Sequence, residues 1–286
     1  MFVFADGKLC SYAGIATHYL DSSSLPDLEA RLGELNFKDY ATLQDRLRII
    51  NDTVEEFATG IPHDQPMQIA GQIRQAIDYV FQPSTGINDI MDALREAQEK
   101  APGPVKEWAK KTEDTIKIRS PTSVKVALRQ IRDGKKWDIS QTFRHEHHIA
   151  SKFMEHPDFV EGVSVKLIHK SKEQPKWNPA TFDEVSDEEV ASFIGTNPTD
   201  LELLNTGEGT DYKDYPHSWI GLPREIEVEA KVREGEIKDV EGVIQYFLHI
   251  KRHKMGVREK VQEILDRMTY DKGGVLQWSL DGEGEE

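Results

Sequence analysis

Between Ser24 and Phe193 the apolar residues recur at intervals of three and four, which is the spacing of one face of an α-helix. The first such segment has leucines at positions 25, 28, 32 and 35, with Pro26 in its first turn and Asp21 or a nearby serine as its cap. Strand patterns are nearly absent from this stretch. The periodicity therefore predicts a mainly α fold, arranged as an array of helices.

Breaks that contain Gly and Pro divide this array into separate helices, since both residues interrupt helical periodicity. The predicted helical segments are Thr42 to Ile50, Thr53 to Thr59, Met67 to Val80, Gly86 to Glu99, Pro104 to Ile116, Ser120 to Gly134, Ile139 to Met154, a helix capped by Asp158 and a short helix opened by Ser186. Two short apolar runs near the start, Phe2 to Phe4 and Ala13 to Leu20, predict one or two short strands instead.

Composition excludes several classes of function. The 286 residues carry a formal charge of −15, which disfavours nucleic-acid binding by the overall field of the protein and leaves only local basic patches open. A single cysteine, Cys10, excludes an internal disulfide framework and a Cys-rich metal site. No apolar run approaches the ~18 residues of a membrane span, and the first residues lack the pattern of a signal peptide or presequence. Neither a membrane nor DNA is an expected partner.

Four short motifs follow one another along the chain: Tyr12-Ala-Gly-Ile-Ala-Thr-His18, Ser120-Pro-Thr-Ser-Val-Lys125, Asp158-Phe-Val-Glu-Gly162 and Pro175-Lys-Trp177. No single motif is chemically specific. Together and in this order they resemble the C-terminal half of fungal-type mitochondrial 3-hydroxyisobutyryl-CoA hydrolases, a branch of the crotonase (enoyl-CoA hydratase) superfamily. The resemblance spans the chain from Gly7 to Phe193.

The resemblance implies the helical C-terminal part of a crotonase-like α/β fold, with residual short strands at the start and a helical tail. In that family the Gly-rich oxyanion hole and the acidic residues that act on the thioester precede the segment resembling Tyr12 to His18. We therefore expect the chain to lack the catalytic half and to be inactive alone, since oxyanion donors usually supply the largest catalytic term. No catalytic, cofactor-binding or metal-binding residue is assigned. An acyl-CoA thioester is the expected substrate of a complete protein only.

The segment Arg144-His-Glu-His-His148 is the densest histidine cluster. A zinc-binding His-Glu-x-x-His motif places two histidines four residues apart with the glutamate between them, whereas His145 and His148 are three apart. The sequence therefore favours a solvated helix face. Related hydrolases carry a glutamate followed two residues later by an arginine here. Glu146 is kept, but His148 replaces the arginine, which weakens any role of that ion pair.

Asp158 and Glu161 have the spacing of a capping box, with Asp158 as the N-cap. This interpretation is structural, and loss of the Asp158 side chain is expected to cost about 1 kcal/mol. His18 can titrate near neutrality, but no nucleophile or carboxylate partner is evident in the sequence, so it is interpreted as a structural residue. Lys170 and Lys172 are the candidates for the CoA phosphates by resemblance, with a pair of surface lysines as the alternative.

After Asn197 the composition changes, and we divide the chain into a crotonase-like part, residues 1–204, and an appended tail, residues 205–286. The tail opens with a Gly-containing linker, Asn205 to Thr210. Its helical segments are predicted over Arg224 to Arg233 and Val257 to Met268, with an apolar run from Val243 to Ile250 between them. Tails of this kind occur in fungal relatives of the family.

The densest basic patch of the chain, Lys251-Arg-His-Lys254 with Arg258 and Lys260, lies in this tail. It is either an ordinary charged helix surface or a contact for RNA phosphates. In the second case, replacing Lys251, Arg252 and Lys254 with glutamate is expected to release the protein from mitochondrial small ribosomal subunits on a sucrose gradient and to leave the folded core intact.

Three hypotheses of function remain open. The first is a 3-hydroxyisobutyryl-CoA hydrolase of valine breakdown, of which this chain is the substrate-enclosing half. The second is a structural component of the mitochondrial small ribosomal subunit, which contacts ribosomal RNA and proteins through the tail. The third is a truncated gene model of an active hydrolase. By resemblance all three place the protein in the mitochondrion, although no targeting segment is visible in this chain.

Overall fold

The computed structural model describes residues 7–60, 67–82, 84–196, 198, 201–204 and 211–279. These residues form a mainly α structure, which confirms the predicted fold class. They divide into two compact units: the described residues between 76 and 216, called unit 1, and those between 7 and 75 together with 217–279, called unit 2. Within the described residues, no helix is both long and apolar enough to cross a bilayer.

The helices of unit 1 follow the predicted segments closely. They are the end of α4 (Gly71–Val80), then α5 (Ile87–Lys100), α6 (Gly103–Lys117), α7 (Pro121–Gly134), α8 (Ile139–Glu155), α9 (Pro157–Val163) and α10 (Asp187–Ile194). Side-chain caps explain where several of them begin, because they satisfy backbone N–H groups that have no partner inside the helix. Ser120 Oγ accepts a hydrogen bond from Ser123 N at 3.1 Å, and Ser186 Oγ accepts one from Glu189 N at 3.0 Å.

Two buried hydrophobic clusters hold unit 1 together. The first consists of Val80, Ile87, Ile90, Met91, Leu94 and Ala109, from α4, α5 and α6. The second consists of Val126, Ile149, Val185, Val190, Phe193 and Ile194, from α7, α8, α10 and the turn before α10. The apolar residues recur at helical intervals, so each helix buries one face, and each large side chain contributes about 1.5–3 kcal/mol.

A buried carboxylate, Glu113, links α5 and α6. Its side chain is 7% exposed and accepts hydrogen bonds from Arg95 Nε at 3.1 Å, Lys117 Nζ at 2.7 Å and Gln98 Nε2 at 2.7 Å. Burial by itself raises the pKa of Glu113, but the hydrogen bonds from Gln98, Lys117 and Arg95 outweigh it and lower the pKa from 4.5 to about 2. The ionised form is therefore the one that the fold stabilises.

Glu113→Gln is expected to reduce the free energy of unfolding at pH 7 by about 2 kcal/mol, after allowance for solvent screening of its partners. Because the pKa of the folded state is the lower one, this stabilisation is complete above pH 4.5 and is lost as the pH falls towards 2. Urea unfolding of wild type and variant at several pH values measures the difference. Glu107→Gln, an exposed change on the same helix, is the control, and an equal loss in both variants contradicts the assignment.

Unit 2 combines the N-terminal segment with the tail. Its elements are α1 (Gly7–Tyr12), α2 (Leu25–Gly33), α3 (Leu43–Glu55), the start of α4, α11 (Glu225–Arg233), α12 (Val240–Ile250), α13 (Val257–Met268) and the antiparallel strands β1 (Thr269–Asp271) and β2 (Leu276–Trp278). The core is built mainly by α11, α12 and α13, for example by Val228, Ile244 and Ile264, and Tyr12 packs against it. The tail residues are therefore part of a folded body.

Several local predictions need correction. Ala13 to Leu20 is not a strand: the N–H groups of Ile15 and Ala16 turn back to the carbonyl of Cys10 at the end of α1, which prevents an extended backbone. The two helices predicted from Thr42 to Thr59 are one helix, α3, because Thr53 is a buried part of it and not a break.

The predicted strand Phe2 to Phe4 and the predicted linker Asn205 to Thr210 lie outside the described residues. The division into residues 1–204 and 205–286 concerns the part of the chain shared with the family, whereas units 1 and 2 are defined by contacts. That division therefore stays a prediction.

Candidate functional site

A cleft of about 870 Å³ lies within unit 2, between α3 and the turn that follows α12. Its volume falls in the range of pockets that bind small molecules. The residues that line it are Gln44, Arg48, Asn51, Asp52, Glu55, Trp219, Ile220, Ile250, Lys251, Arg252, His253, Lys254 and Met255. This unit-2 cleft brings the basic patch of the tail against polar residues of α3.

Helix α3 presents a polar face to the cleft because of its cap and its register. Thr42 Oγ1 accepts from Asp45 N at 3.1 Å, and Asp45 Oδ2 accepts from Thr42 N at 3.1 Å, which completes a capping box. From this start, Arg48, Asp52 and Glu55 follow at intervals of four and three and share one face. One cation and two carboxylates therefore stand side by side.

Another wall of the cleft is the tight turn between α12 and α13. Arg252 and His253 have φ angles of 53° and 58°, and His253 N donates to Leu248 O at 2.7 Å. Gly256, at φ 87°, closes the turn before α13, and glycine adopts this conformation without steric cost. The turn thus aims consecutive polar side chains at α3.

Carboxylates of α3 neutralise two cations of the basic patch. Arg252 Nη1 donates to Asp52 Oδ2 at 3.1 Å, and Lys254 Nζ donates to Glu55 Oε1. Lys254 is only 9% exposed, and desolvation lowers its pKa. Residues about 200 positions apart in sequence are therefore joined by charge.

Two further cations of the patch, Lys251 and Arg258, are also engaged. Lys251 Nζ donates to Trp219 O at 3.2 Å, and burial lowers the pKa of Lys251. Arg258 forms two hydrogen bonds with the Glu241 carboxylate, at 2.7 and 2.9 Å. Charge reversal at Lys254 places a second carboxylate beside Glu55 in a largely buried position, so the core is no longer expected to stay intact when Lys254 is among the replaced residues. The effect of the replacements on RNA contact stays a prediction.

The interpretation of His18 as a residue without a carboxylate partner is also corrected. His18 Nε2 lies 3.0 Å from Glu55 Oε1, and its side chain is 9% exposed. Thr17 Oγ1 lies 3.0 Å from the other ring nitrogen, Nδ1. His18, Glu55 and Lys254 form one largely buried polar cluster that connects three segments of unit 2. The contacts of the cluster tie α3 to the tail and to the segment that follows α1.

In unit 1 the histidine cluster of α8 packs against the C-terminus of α10. The His145 Nδ1–H group donates to Ile194 O at 2.8 Å, and its ring stacks on Trp137 with the centroids 4.1 Å apart. The ring of His148 donates from Nε2 to Ser192 O at 3.3 Å. Both histidines satisfy carbonyls at the end of a helix. His145 is buried, so the predicted solvated face is wrong for this residue, and within the described residues no metal-binding group of side chains is found.

Gly195→Ala is expected to destabilise unit 1 by about 1–3 kcal/mol. Gly195 has φ 67° and ψ 157°, and an added Cβ meets the His148 ring at 3.2 Å. Thermal denaturation tests this expectation against Gly103→Ala, where the added methyl group meets nothing within 4 Å. Equal melting temperatures of Gly195→Ala and Gly103→Ala contradict the expected destabilisation.

Three of the family-like motifs meet in unit 1, at a cluster that we call the motif junction. Asp158 accepts hydrogen bonds from Ser120 Oγ at 2.6 Å and from Asn178 N at 2.8 Å, while Glu161 accepts one from Lys176 N at 2.7 Å. The ring of Trp177 lies against Gly162, where a Cβ would approach it to 3.3 Å. The motifs are thus tied together by direct contacts.

This geometry corrects the capping assignment of Asp158. Pro157 is the first residue of α9, so the N-cap is His156, whose Nδ1 accepts from Asp158 N at 3.3 Å. The Asp158 carboxylate is free to bind Ser120 and Asn178 because it is not needed as a cap. Glu161 binds the following segment and does not complete a capping box.

Lys170 and Lys172 lie on an exposed segment after a π-helical turn, Ser164–Ile168. Lys170 has φ 48°. Exposure is compatible with phosphate contact and with a surface lysine pair alike, so their assignment to CoA stays a prediction.

Comparison with known proteins identifies the family. The sequence profile of the enoyl-CoA hydratase/isomerase family matches residues 5–194. This match covers more than half of the chain and includes all four motifs. The chain therefore belongs to the enoyl-CoA hydratase/isomerase family.

Individual relatives fall into two groups. The small ribosomal subunit protein mS47 of Neurospora crassa is 45% identical over 272 residues, which cover 93% of this chain and 53% of that protein. A Schizosaccharomyces pombe protein of the same name is 36% identical, covering 60% of this chain and 38% of that one. The mitochondrial 3-hydroxyisobutyryl-CoA hydrolase of Gallus gallus is 32% identical, covering 67% and 46%. The relation to this hydrolase family is confirmed, and the chain spans about half the length of these relatives.

Proposed function

We propose that the chain is a structural component of the mitochondrial small ribosomal subunit, built on the C-terminal half of a fungal-type 3-hydroxyisobutyryl-CoA hydrolase. The extent of the similarity to Neurospora crassa mS47 carries this proposal. It covers 93% of the chain, whereas the family match ends at residue 194. Most of the tail is therefore shared with a ribosomal protein, while the Gallus gallus hydrolase aligns with 67% of the chain.

The structure of the tail supports this proposal. Helices α11, α12 and α13 bury the larger part of the unit 2 core, and Arg252 and Lys254 pair with α3. A folded and internally paired tail presents a fixed surface, as a permanent subunit of an assembly requires. The expected partners are ribosomal proteins and RNA, and the location is the mitochondrion.

Sedimentation tests the proposal. Mitochondria from cells that express the tagged native protein are lysed in low salt with Mg²⁺ and separated on a sucrose gradient. The protein is expected in the small-subunit fractions and at the top of the gradient after ribonuclease digestion. A mitochondrial matrix enzyme of similar size is the control. A protein that stays at the top under all conditions contradicts the ribosomal proposal.

A hydrolase of valine breakdown is the second candidate, and the similarity to the Gallus gallus enzyme favours it. Hydrolysis of 3-hydroxyisobutyryl-CoA needs oxyanion donors, which the family resemblance places before Tyr12. In a thiol-release assay the 286-residue chain is expected to act no faster than buffer. Turnover that disappears on mutation of one residue of this chain contradicts that expectation. A Gly-rich coding segment directly upstream in the gene, with turnover by the longer product, supports a truncated gene model.

A further inference from the structure

Helix α8 of unit 1 carries a line of solvent-exposed residues with large apolar side chains at both ends. Phe143 and Met154 are 55% and 61% exposed, and His147 and Ala150, which lie between them, are exposed as well. The four residues follow one another at intervals of four, three and four, which places them in one line along the helix. We call these four residues the α8 stripe. A stripe with this spacing is the kind of surface that one helix presents to another.

The α8 stripe is complementary to itself when the helix direction is reversed. In an antiparallel pair of two α8 helices, with the two-fold axis between positions 148 and 149, Phe143 lies opposite the partner's Met154. A thioether beside an aromatic ring is a favourable contact. His147 lies opposite the partner's Ala150, so a larger side chain meets a small one and the helices can approach closely. A parallel pair sets each residue against its own copy and leaves a gap between the two Ala150 side chains.

Charged residues beside the stripe fit the same antiparallel arrangement. Half-buried Arg144 and exposed Glu155 follow Phe143 and Met154 by one position each, so they lie on the same side of the stripe near its two ends. In the antiparallel pair each Arg144 comes within one helical turn of the partner's Glu155, which gives two flanking ion pairs of the kind that orient coiled coils. A parallel pair places Arg144 beside the partner's Arg144. The charge pattern therefore favours a second copy of this chain, in antiparallel orientation, on the stripe.

We propose that two copies of this chain pair in solution through their α8 stripes, in antiparallel orientation around a two-fold axis between positions 148 and 149. One pair of helices is a small contact compared with the roughly 1,200–2,000 Å² that a stable interface buries. The dimer is therefore reversible, with a Kd on the order of 10 µM. The proposal concerns the free chain and does not depend on ribosomal association.

Sedimentation equilibrium of the full 286-residue chain tests the pairing, at concentrations from about 1 to 200 µM on either side of the expected Kd. Ala150→Lys is expected to weaken self-association at least about tenfold, because a long charged side chain replaces the small residue that allows close approach. Ala127→Lys is the matched control, since Ala127 is an exposed alanine of α7 outside the stripe. This control is expected to leave the Kd unchanged.

Exchange of the flanking charges tests the orientation. Arg144→Glu and Glu155→Arg are each expected to weaken pairing about threefold, because like charges then face each other at both ends of the stripe. The double variant is expected to pair nearly as well as wild type, since both ion pairs form again with reversed polarity. Circular dichroism checks that each variant is folded, and the alanine variants carry the test if the charge variants are not. A wild-type chain that stays monomeric at about 200 µM, equal pairing of Ala150→Lys and Ala127→Lys, or a folded double variant that pairs no better than the single ones overturns the proposal.

Discussion

Glu55→Gln is expected to lower the free energy of unfolding by about 3 kcal/mol, because it leaves the buried ammonium of Lys254 without its counter-charge. Lys254 is 9% exposed, and Glu55 Oε1 also lies 3.0 Å from His18 Nε2. The Glu55 side chain is 25% exposed, which places the effect at the lower end of values for broken buried pairs. Urea unfolding followed by circular dichroism measures the loss.

The pH dependence of this effect has a definite sign. Burial by itself raises the pKa of Glu55, but hydrogen bonds from His18 and Lys254 outweigh it, so the pKa is lowered in the folded state. A carboxyl with a lowered folded pKa stabilises the protein above its unfolded pKa and loses this contribution as the pH falls. The difference between wild type and Glu55→Gln is therefore expected to shrink as the pH falls below about 4.5.

The neighbouring residue provides a control for Glu55→Gln. Glu56 lies at the exposed end of the same helix, and its partner Arg31 is 3.5 Å away. Glu56→Gln is expected to cost less than about 0.5 kcal/mol, as for other surface pairs. Similar stability of the two variants means that the buried cluster does not hold α3 to the tail.

The helical part of the fold follows from the sequence because its signals are local. Apolar spacing and capping residues such as Ser120 and Ser186 need only a few neighbours in sequence. The strand predicted over Ala13 to Leu20 failed for the complementary reason. Its β-branched and aromatic residues match a strand, but a strand needs a pairing partner, and the chain turns back on α1 at this point.

The candidate site is harder to predict because it joins residues about 200 positions apart. The basic patch of the tail is visible in the sequence, and its density pointed to phosphate contact. Arg48, Asp52 and Glu55 also have a visible signal, since their spacing places them on one helix face. That α3 meets the turn after α12 is a tertiary fact, and local patterns do not determine which polar faces pair.

At the motif junction, too, the local sequence does not determine which groups a polar side chain binds. The motifs containing Ser120, Asp158 and Trp177 form a family pattern in the sequence, and local spacing alone predicts that Asp158 caps its own helix. The carboxylate instead links α7 and α9 to the segment at Asn178. Pro157 explains the difference, because its place as first residue of α9 moves the cap back to His156.

Asp158→Ala is therefore expected to lower the free energy of unfolding by about 3 kcal/mol, well above the loss of a simple cap. The change leaves the hydroxyl of Ser120, a residue that is 5% exposed, and the N–H group of Asn178 without their carboxylate acceptor. Hydrogen bonds to a charged group contribute more than neutral ones, so the two losses together outweigh a cap.

Chemical denaturation of Asp158→Ala, Asp158→Asn and Asp187→Ala separates the possible causes. Asp158→Asn keeps one carbonyl oxygen as an acceptor and is expected to recover part of the stability. Asp187, whose side chain is 95% exposed, is expected to change stability by less than about 0.5 kcal/mol when replaced. If Asp158→Ala lowers the free energy of unfolding by only about 1 kcal/mol, and Asp158→Asn loses as much, the effect is that of a lost helix cap and contradicts a role of Asp158 in the motif junction. A loss near 3 kcal/mol in Asp158→Ala, together with a smaller loss in Asp158→Asn, means that the contacts between the three motifs stabilise unit 1. The reason is that these variants differ in whether an acceptor remains for Ser120 and Asn178.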